Sequence, residues 1–283
     1  MDAVLEFLPT LKKLYSDSFI ALFLFGGIFV ILGGRQALKR PSEGTMNEAA
    51  HNLLLVLSNS ALVVLLFGNL SFYSNFLFEY LSLPRVTKDF WSNVPFFYGI
   101  IIALIALDFQ NYWAHRILHT KYFWGVHALH HSDKHITWST SYRIHVLELV
   151  IMSVVYVTLI GWLSLPATVV APVAFIRLWH SKLIHCQFDW TFGRFRRILA
   201  SPNYHKWHHS SKPEAFGKNL CDMFPIWDIM FGTHYDPGLC GTDTGVDGFK
   251  DGFLEGQIYP FKYAYIATKK RFKSTPVTPP RTP

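Results

Sequence analysis

Charged residues are scarce in this sequence. They make up 16% of its 283 residues, where a soluble domain carries about 25%. That deficit argues against a soluble globule, and a hydrophobic content of 51% argues for a chain that lives in a membrane. Cysteine is scarce too. Cys186, Cys221 and Cys240 form no CxxC pair, which excludes a disulfide framework and a zinc–thiolate site. No HExxH motif occurs, so a zincin-type protease is excluded. A pair of Glu-x-x-His motifs, the mark of soluble di-iron bundles, is also missing. The N-terminus has no basic region ahead of its apolar part, so no cleaved signal peptide is expected. The formal net charge of +7 accompanies no nucleic-acid-binding motif, and it reads as basic loops facing anionic lipid.

Long apolar runs are what the chain does have, and about 20 residues suffice to cross the hydrocarbon of a bilayer. Four regions qualify: 19–34, 53–68 with an aromatic continuation, 94–113, and 146–179. The last is too long for one crossing, and the stretch from Gly161 to Pro166 is expected to break it into a hairpin. The fold class expected is therefore all-α: a polytopic membrane helical bundle whose helical cap carries a histidine-rich dimetal site. Arg35, Lys39 and Arg40 crowd the loop after the first run, and the positive-inside rule puts that loop in the cytoplasm. Counting forward, 115–145 and 180–283 are cytoplasmic as well. Three parts are expected: N-terminal spans (1–100), a catalytic region including the hairpin (101–240) and a C-terminal cytoplasmic tail (241–283), of which STPVTPPRTP reads as disordered.

Thirteen of the fourteen histidines then fall at or beyond the cytoplasmic ends of the spans. The exception, His51, is expected to be a plain interfacial residue. Three clusters stand out: His115 and His119 in HRILH; His127, His130 and His131 in HALHH; and His205, His208 and His209 in HKWHH. Residues three or four apart share a helical face, so several imidazoles in each cluster can reach one ion. So many unligated rings would leave nitrogens seeking partners in a partly dry site, and metal coordination satisfies them. A tetrahedral zinc needs four ligands, so eight imidazoles suggest two ions. Imidazole suits Zn, Cu, Fe and Ni alike, so ligand type alone does not choose the metal.

The sequence here resembles the fatty acid hydroxylase/sterol desaturase superfamily of membrane di-iron oxygenases. DFQNYWAHRILH is similar to its first box (Asp108, Tyr112, His115, Arg116, His119), WGVHALHHS to its second and SPNYHKWHHS to its third. TSYRIHVLE resembles an Arg-x-His-x-x-Glu segment at Arg143, His145 and Glu148. LIHCQ resembles the end of the last span at His185, and WDIMFGT the closing motif. The resemblance covers about residues 105–235. It implies two iron ions (Fe2+/Fe3+) held by His115, His119, His127, His130, His131, His185, His205, His208 and His209, with Asp108, Arg143, His145 and Glu148 supporting the ligands. Asp108 is expected either to bond a first-box histidine or to play a simple helix-end role. His180 stands between ligand and support, and His135 and His234 have weak claims. Trp124 and Trp207 are expected to be membrane-belt anchors.

The implied function is hydroxylation or desaturation of an unactivated C–H position of a lipid by O2. A separate electron donor is required, cytochrome b5-, ferredoxin- or reductase-like, because no haem domain is fused to the chain. The absence of a dilysine signal favours a bacterial inner membrane over the endoplasmic reticulum. Two rival readings are a histidine-rich membrane metal transporter and a zinc-dependent membrane hydrolase. Transport sites gather near the bilayer midplane, whereas these histidines lie on one side. Oxygen-dependent product formation separates an oxygenase from a hydrolase.

Overall fold

The computed structural model describes residues 43–272, together with Ile28 and Ile31. Apart from those two residues the first apolar run lies outside the described residues, as do the loop used to orient the chain and the Pro-rich end. Within them the architecture is helical throughout, with no strand and a single antiparallel bridge joining Ser210 to Thr244.

Helix α1 (Glu43–Tyr80) contains the second apolar run and its aromatic continuation. A short helix, α2 (Lys88–Ser92), precedes α3 (Phe96–Leu118), which carries the third run. The fourth run is split in two, α5 (Val146–Leu163) and α6 (Ala167–Ile184), with the cap helix α4 (Trp124–His131) before them. The break falls at Ser164, which adopts a left-handed conformation (φ 48°), with Pro166 capping the start of α6. Among the described residues, α3, α5 and α6 are each long and apolar enough to cross a membrane.

These three helices pack against one another and leave much apolar surface outside. Trp91, Ala103, Leu107, Leu165, Val169 and Val173 form their common core, and the Trp91 indole donates to the Leu163 carbonyl (2.6 Å). Gly99 on α3 lies against Val169, and Gly161 on α5 lies against Ser74 and Phe78 of α1. No more than 28% of any apolar window is buried within the protein. Exposed Ile101, Ile105, Phe175 and Ile176 need an apolar solvent. Water would cost about 25 cal/mol for each Å² of that surface, and lipid removes the cost. The protein is an all-α membrane bundle.

One end of the bundle carries the cap. It comprises α4, a 3-10 turn (Trp138–Tyr142), α7 (Pro202–His208), α8 (Ile226–Met230) and α9 (Phe253–Phe272). Helix α7 starts where sequence chemistry places it: the Ser201 hydroxyl accepts from the Tyr204 N–H, and Pro202 occupies the first turn. The described part of the expected tail is built into this cap. Gly125 of α4 meets the Tyr263 side chain of α9, and Gly256 of α9 meets Leu129 of α4, so closely that a methyl group on either glycine would lie under 3 Å from its neighbour.

Candidate metal centre

Nine buried histidines meet where α3, α4, α6 and α7 end. Five form one group: His115 and His119 from the end of α3, His127 and His131 from α4, and His208 from α7. Four form the other: His130 from α4, His185 just past α6, and His205 and His209 from α7 and its cap. In each group one nitrogen from every ring lies within 4.8 Å of all the others. None of the nine is more than 8% exposed. Both α4 and α7 divide their rings between the groups, and His131 stacks on His209 across the divide at 4.5 Å.

The backbone decides which nitrogen each ring offers. His115 Nδ1 donates to the Leu220 carbonyl (2.8 Å), His185 Nδ1 to the Ser181 carbonyl (2.7 Å) and His208 Nδ1 to the Lys218 carbonyl (2.8 Å). A carbonyl only accepts, so each Nδ1 carries the proton and each Nε2 presents a lone pair. His127 Nδ1 donates to the Glu148 carboxylate (2.9 Å), with the same result. His115 Nε2 and His127 Nε2 then face each other at 3.0 Å, lone pair to lone pair. That contact is repulsive unless a cation stands between or beside them. His208 Nε2 is buried with no hydrogen-bond partner. In the second group, His185 Nε2 lies 3.0 Å from His205 Nε2 and 3.3 Å from His130 Nε2.

Electrostatics favour the ligand form. Burial holds His119, His130, His131, His205 and His209 well below the usual imidazole range, and neighbouring histidines lower them further. Burial also brings His185 down to about 4 and His208 to about 3. Neutral imidazoles with fixed, convergent lone pairs in a dry site are suited to hold two cations.

Around the rings, the support differs from the sequence expectation in several places. Asp108 bonds no histidine. It accepts from the N–H groups of Met223 and Phe224 (both 2.9 Å) and from the Trp227 indole (2.9 Å), fastening the 219–224 loop to α3. A buried carboxylate needs several donors, and a peptide loop supplies them more cheaply than a neutral ring. Asp228 completes the clamp, accepting from Leu220 N–H, Cys221 N–H, the Tyr204 hydroxyl and the Thr233 hydroxyl. Together the two acids hold the loop whose Leu220 carbonyl orients His115.

Glu148 touches a ring directly, but Arg143 and His145 do not. Arg143 is fully buried and donates to the Leu129 carbonyl and the Ser132 hydroxyl, closing the C-terminal end of α4. His145 caps α5, accepting from Leu147 N–H, and donates to the Gln257 carbonyl of α9. His180 donates to the Ala200 carbonyl and lies outside both groups, as do His135 and His234. His51, at the start of the apolar run of α1, is buried edge-on against Phe253 at 6.5 Å and lies outside both groups. Trp124 and Trp207 are not belt residues. Trp124 is buried against His119 and His131, and Trp207 donates to the Gly238 carbonyl. Local sequence gave no sign of the Asp108 bonds, which reach more than a hundred positions along the chain.

Fold and site define a class: a multi-helix membrane protein with paired histidine clusters at one end of its spans. Residues 100–233 match the fatty acid hydroxylase family, and this segment of the chain belongs to it. An ornithine lipid hydroxylase from Rhizobium tropici is 29% identical over 62% of this chain and 54% of its own length. Alkylglycerol monooxygenase from Danio rerio is 28% identical over 65% of this chain and 40% of its own. Methylsterol monooxygenase 2-2 from Arabidopsis thaliana is 29% identical over 47% of this chain and 51% of its own. The chain thus spans about half the length of these relatives, or less. No solved structure matches it.

Proposed function

We propose that the protein is a membrane-bound non-haem di-iron oxygenase that hydroxylates or desaturates an unactivated C–H position of a lipid. The observation that carries this reading is the opposed pair of lone pairs on His115 and His127, part of a nine-imidazole site at the end of apolar spans. The named activities of the three relatives, all on lipids, support the substrate class. His115, His119, His127, His131 and His208 would hold one iron, and His130, His185, His205 and His209 the other. Bound there, the irons supply the activation of O2.

The chain's own residues do the rest. Leu220, Ser181 and Lys218 carbonyls and the Glu148 carboxylate keep the four ligand tautomers fixed. Neutral imidazoles leave the centre its full positive charge, and the Glu148 carboxylate offsets part of it. Burial excludes water from the reacting carbon. In hydroxylation one oxygen atom of O2 enters the C–H bond and the other leaves as water, consuming two electrons and two protons. In desaturation two hydrogens leave the lipid and both oxygen atoms become water, with the same two electrons and two protons supplied. A separate electron donor, cytochrome b5-, ferredoxin- or reductase-like, supplies the electrons from the cytoplasmic side. We place the protein in a bacterial inner membrane, or alternatively in the endoplasmic reticulum.

Comparative lipid mass spectrometry of cells with and without the protein tests the proposal. A lipid gaining one oxygen indicates hydroxylation, and one losing two hydrogens indicates desaturation. An unchanged lipid profile under oxygen, with a competent reductase present, overturns it.

A further inference from the structure

Helix α9 has two opposite faces with different surroundings. Gly256, Pro260 and Tyr263 turn inward, with Gly256 and Tyr263 seated on α4. On the other side Leu254 (73% exposed), Ile258 (42%), Phe261 (63%) and Tyr265 (64%) form a continuous apolar stripe at i, i+4, i+7 and i+11 spacing. Nothing among the described residues covers it. Four large apolar side chains in one stripe would be costly to leave in water.

What covers the stripe follows from its edge and its position. Lys262, paired with Glu255, and Lys269, over the Tyr265 ring, run along the same side of the stripe. The helix ends in the sequence KKRF. An apolar stripe with aromatics, bordered by cations, is the composition of a helix lying in the headgroup region of an anionic leaflet. Position agrees. Phe253, at the start of α9, packs on His51, and with Leu129 and Phe249 it joins a cluster around Leu55. His51 and Leu55 stand where the apolar run of α1 begins. The start of α9 is therefore packed beside the start of the apolar run of α1.

We propose that α9 lies along the bilayer surface, its Leu254–Ile258–Phe261–Tyr265 stripe inserted among acyl chains and its lysines on anionic headgroups. This placement does not depend on the reaction the site performs. The full-length protein, reconstituted in nanodiscs of phosphatidylcholine with phosphatidylglycerol, carries a spin label at one position at a time: L254C, I258C, F261C, Y265C, or A264C at the edge of the stripe. Power saturation compares collision with O2, which concentrates in lipid, and with a water-soluble nickel chelate. At the four stripe positions O2 should dominate, and the chelate should reach A264C more readily. In pure phosphatidylcholine, or with K262Q/K269Q, the labels should become several-fold more accessible to the chelate.

Equal chelate access at all five positions overturns the proposal, because the stripe would then face water. Exclusion of both reagents overturns it too, because a second copy or another protein would then cover the face. Insertion indifferent to phosphatidylglycerol and to the lysines overturns the anionic part.

Discussion

Glu148 Oε1 sits 2.9 Å from His127 Nδ1, so a carboxylate in the first turn of a membrane helix sets the tautomer of a ring in the cap. It is the only one of the four fixed tautomers held by a side chain, and thus the one open to direct substitution.

E148Q should therefore weaken metal binding while leaving the fold intact. An amide can still accept through its oxygen, but it lacks the carboxylate charge that favours a cationic centre. Loss of such a supporting partner lowers metal affinity about 10- to 100-fold. Titration of the metal-free protein with ferrous iron measures it, and unchanged affinity would remove Glu148 from the site.

Removing one ring from each group should separate the two sites. H130A should lower the iron content from two ions towards one and abolish lipid oxidation, and H115A should do the same through the other group. H51A should keep both ions, since His51 touches neither group. It should still lower stability by about 1 kcal/mol through loss of the edge-on contact with Phe253. Elemental analysis and thermal melting of the three variants distinguish these outcomes.

The loop clamp should matter to both fold and metal. D228A leaves two peptide N–H groups and a phenol unpaired, at about 1–3 kcal/mol for each that stays buried, and leaves the Thr233 hydroxyl with only its bond to Tyr112. The variant should melt markedly lower. In any folded fraction, iron should be lost first from the group containing His115, whose orienting carbonyl belongs to Leu220. Equal loss from both groups would contradict the clamp.

Acid should unfold the metal-free protein early, and the sign is fixed by burial. Folded His185 and His208 take up protons only near pH 4 and 3, whereas an unfolded imidazole does so near pH 6.5. Between those limits the unfolded chain binds more protons, so stability falls as pH falls. It is fully present above about pH 6.5. Chemical denaturation from pH 7.5 to 4.5 should show a steady decline beginning near pH 6.5. A flat profile would mean the rings are not buried neutral.

Much of the site was legible because helical spacing is local. HRILH, HALHH and HKWHH announce their shared faces within five residues each, and these rings do converge. His185 stands alone in its segment and came only from the resemblance. What stayed hidden depends on distance along the chain. Asp108 reaches residues more than a hundred positions away, and Trp124 looks like any interfacial tryptophan until α3 and α4 are packed together. The hairpin was legible because Gly161 to Pro166 carries its own break. Gly256 and Pro260 weaken the helical signal of α9, so the local sequence does not announce that helix.

Three of the four oriented rings take their instructions from peptide carbonyls, at Ser181, Lys218 and Leu220. The message is thus carried by the main chain and is silent about side-chain identity. Positions 181 and 218 are open to substitution by residues that keep the peptide plane, with the ligand nitrogen unchanged, whereas Leu220 is held by its side chain's place in the core beside Tyr112, Ile184 and Tyr204. For an engineer, the walls of this centre can be rewritten at those two positions without touching its wiring.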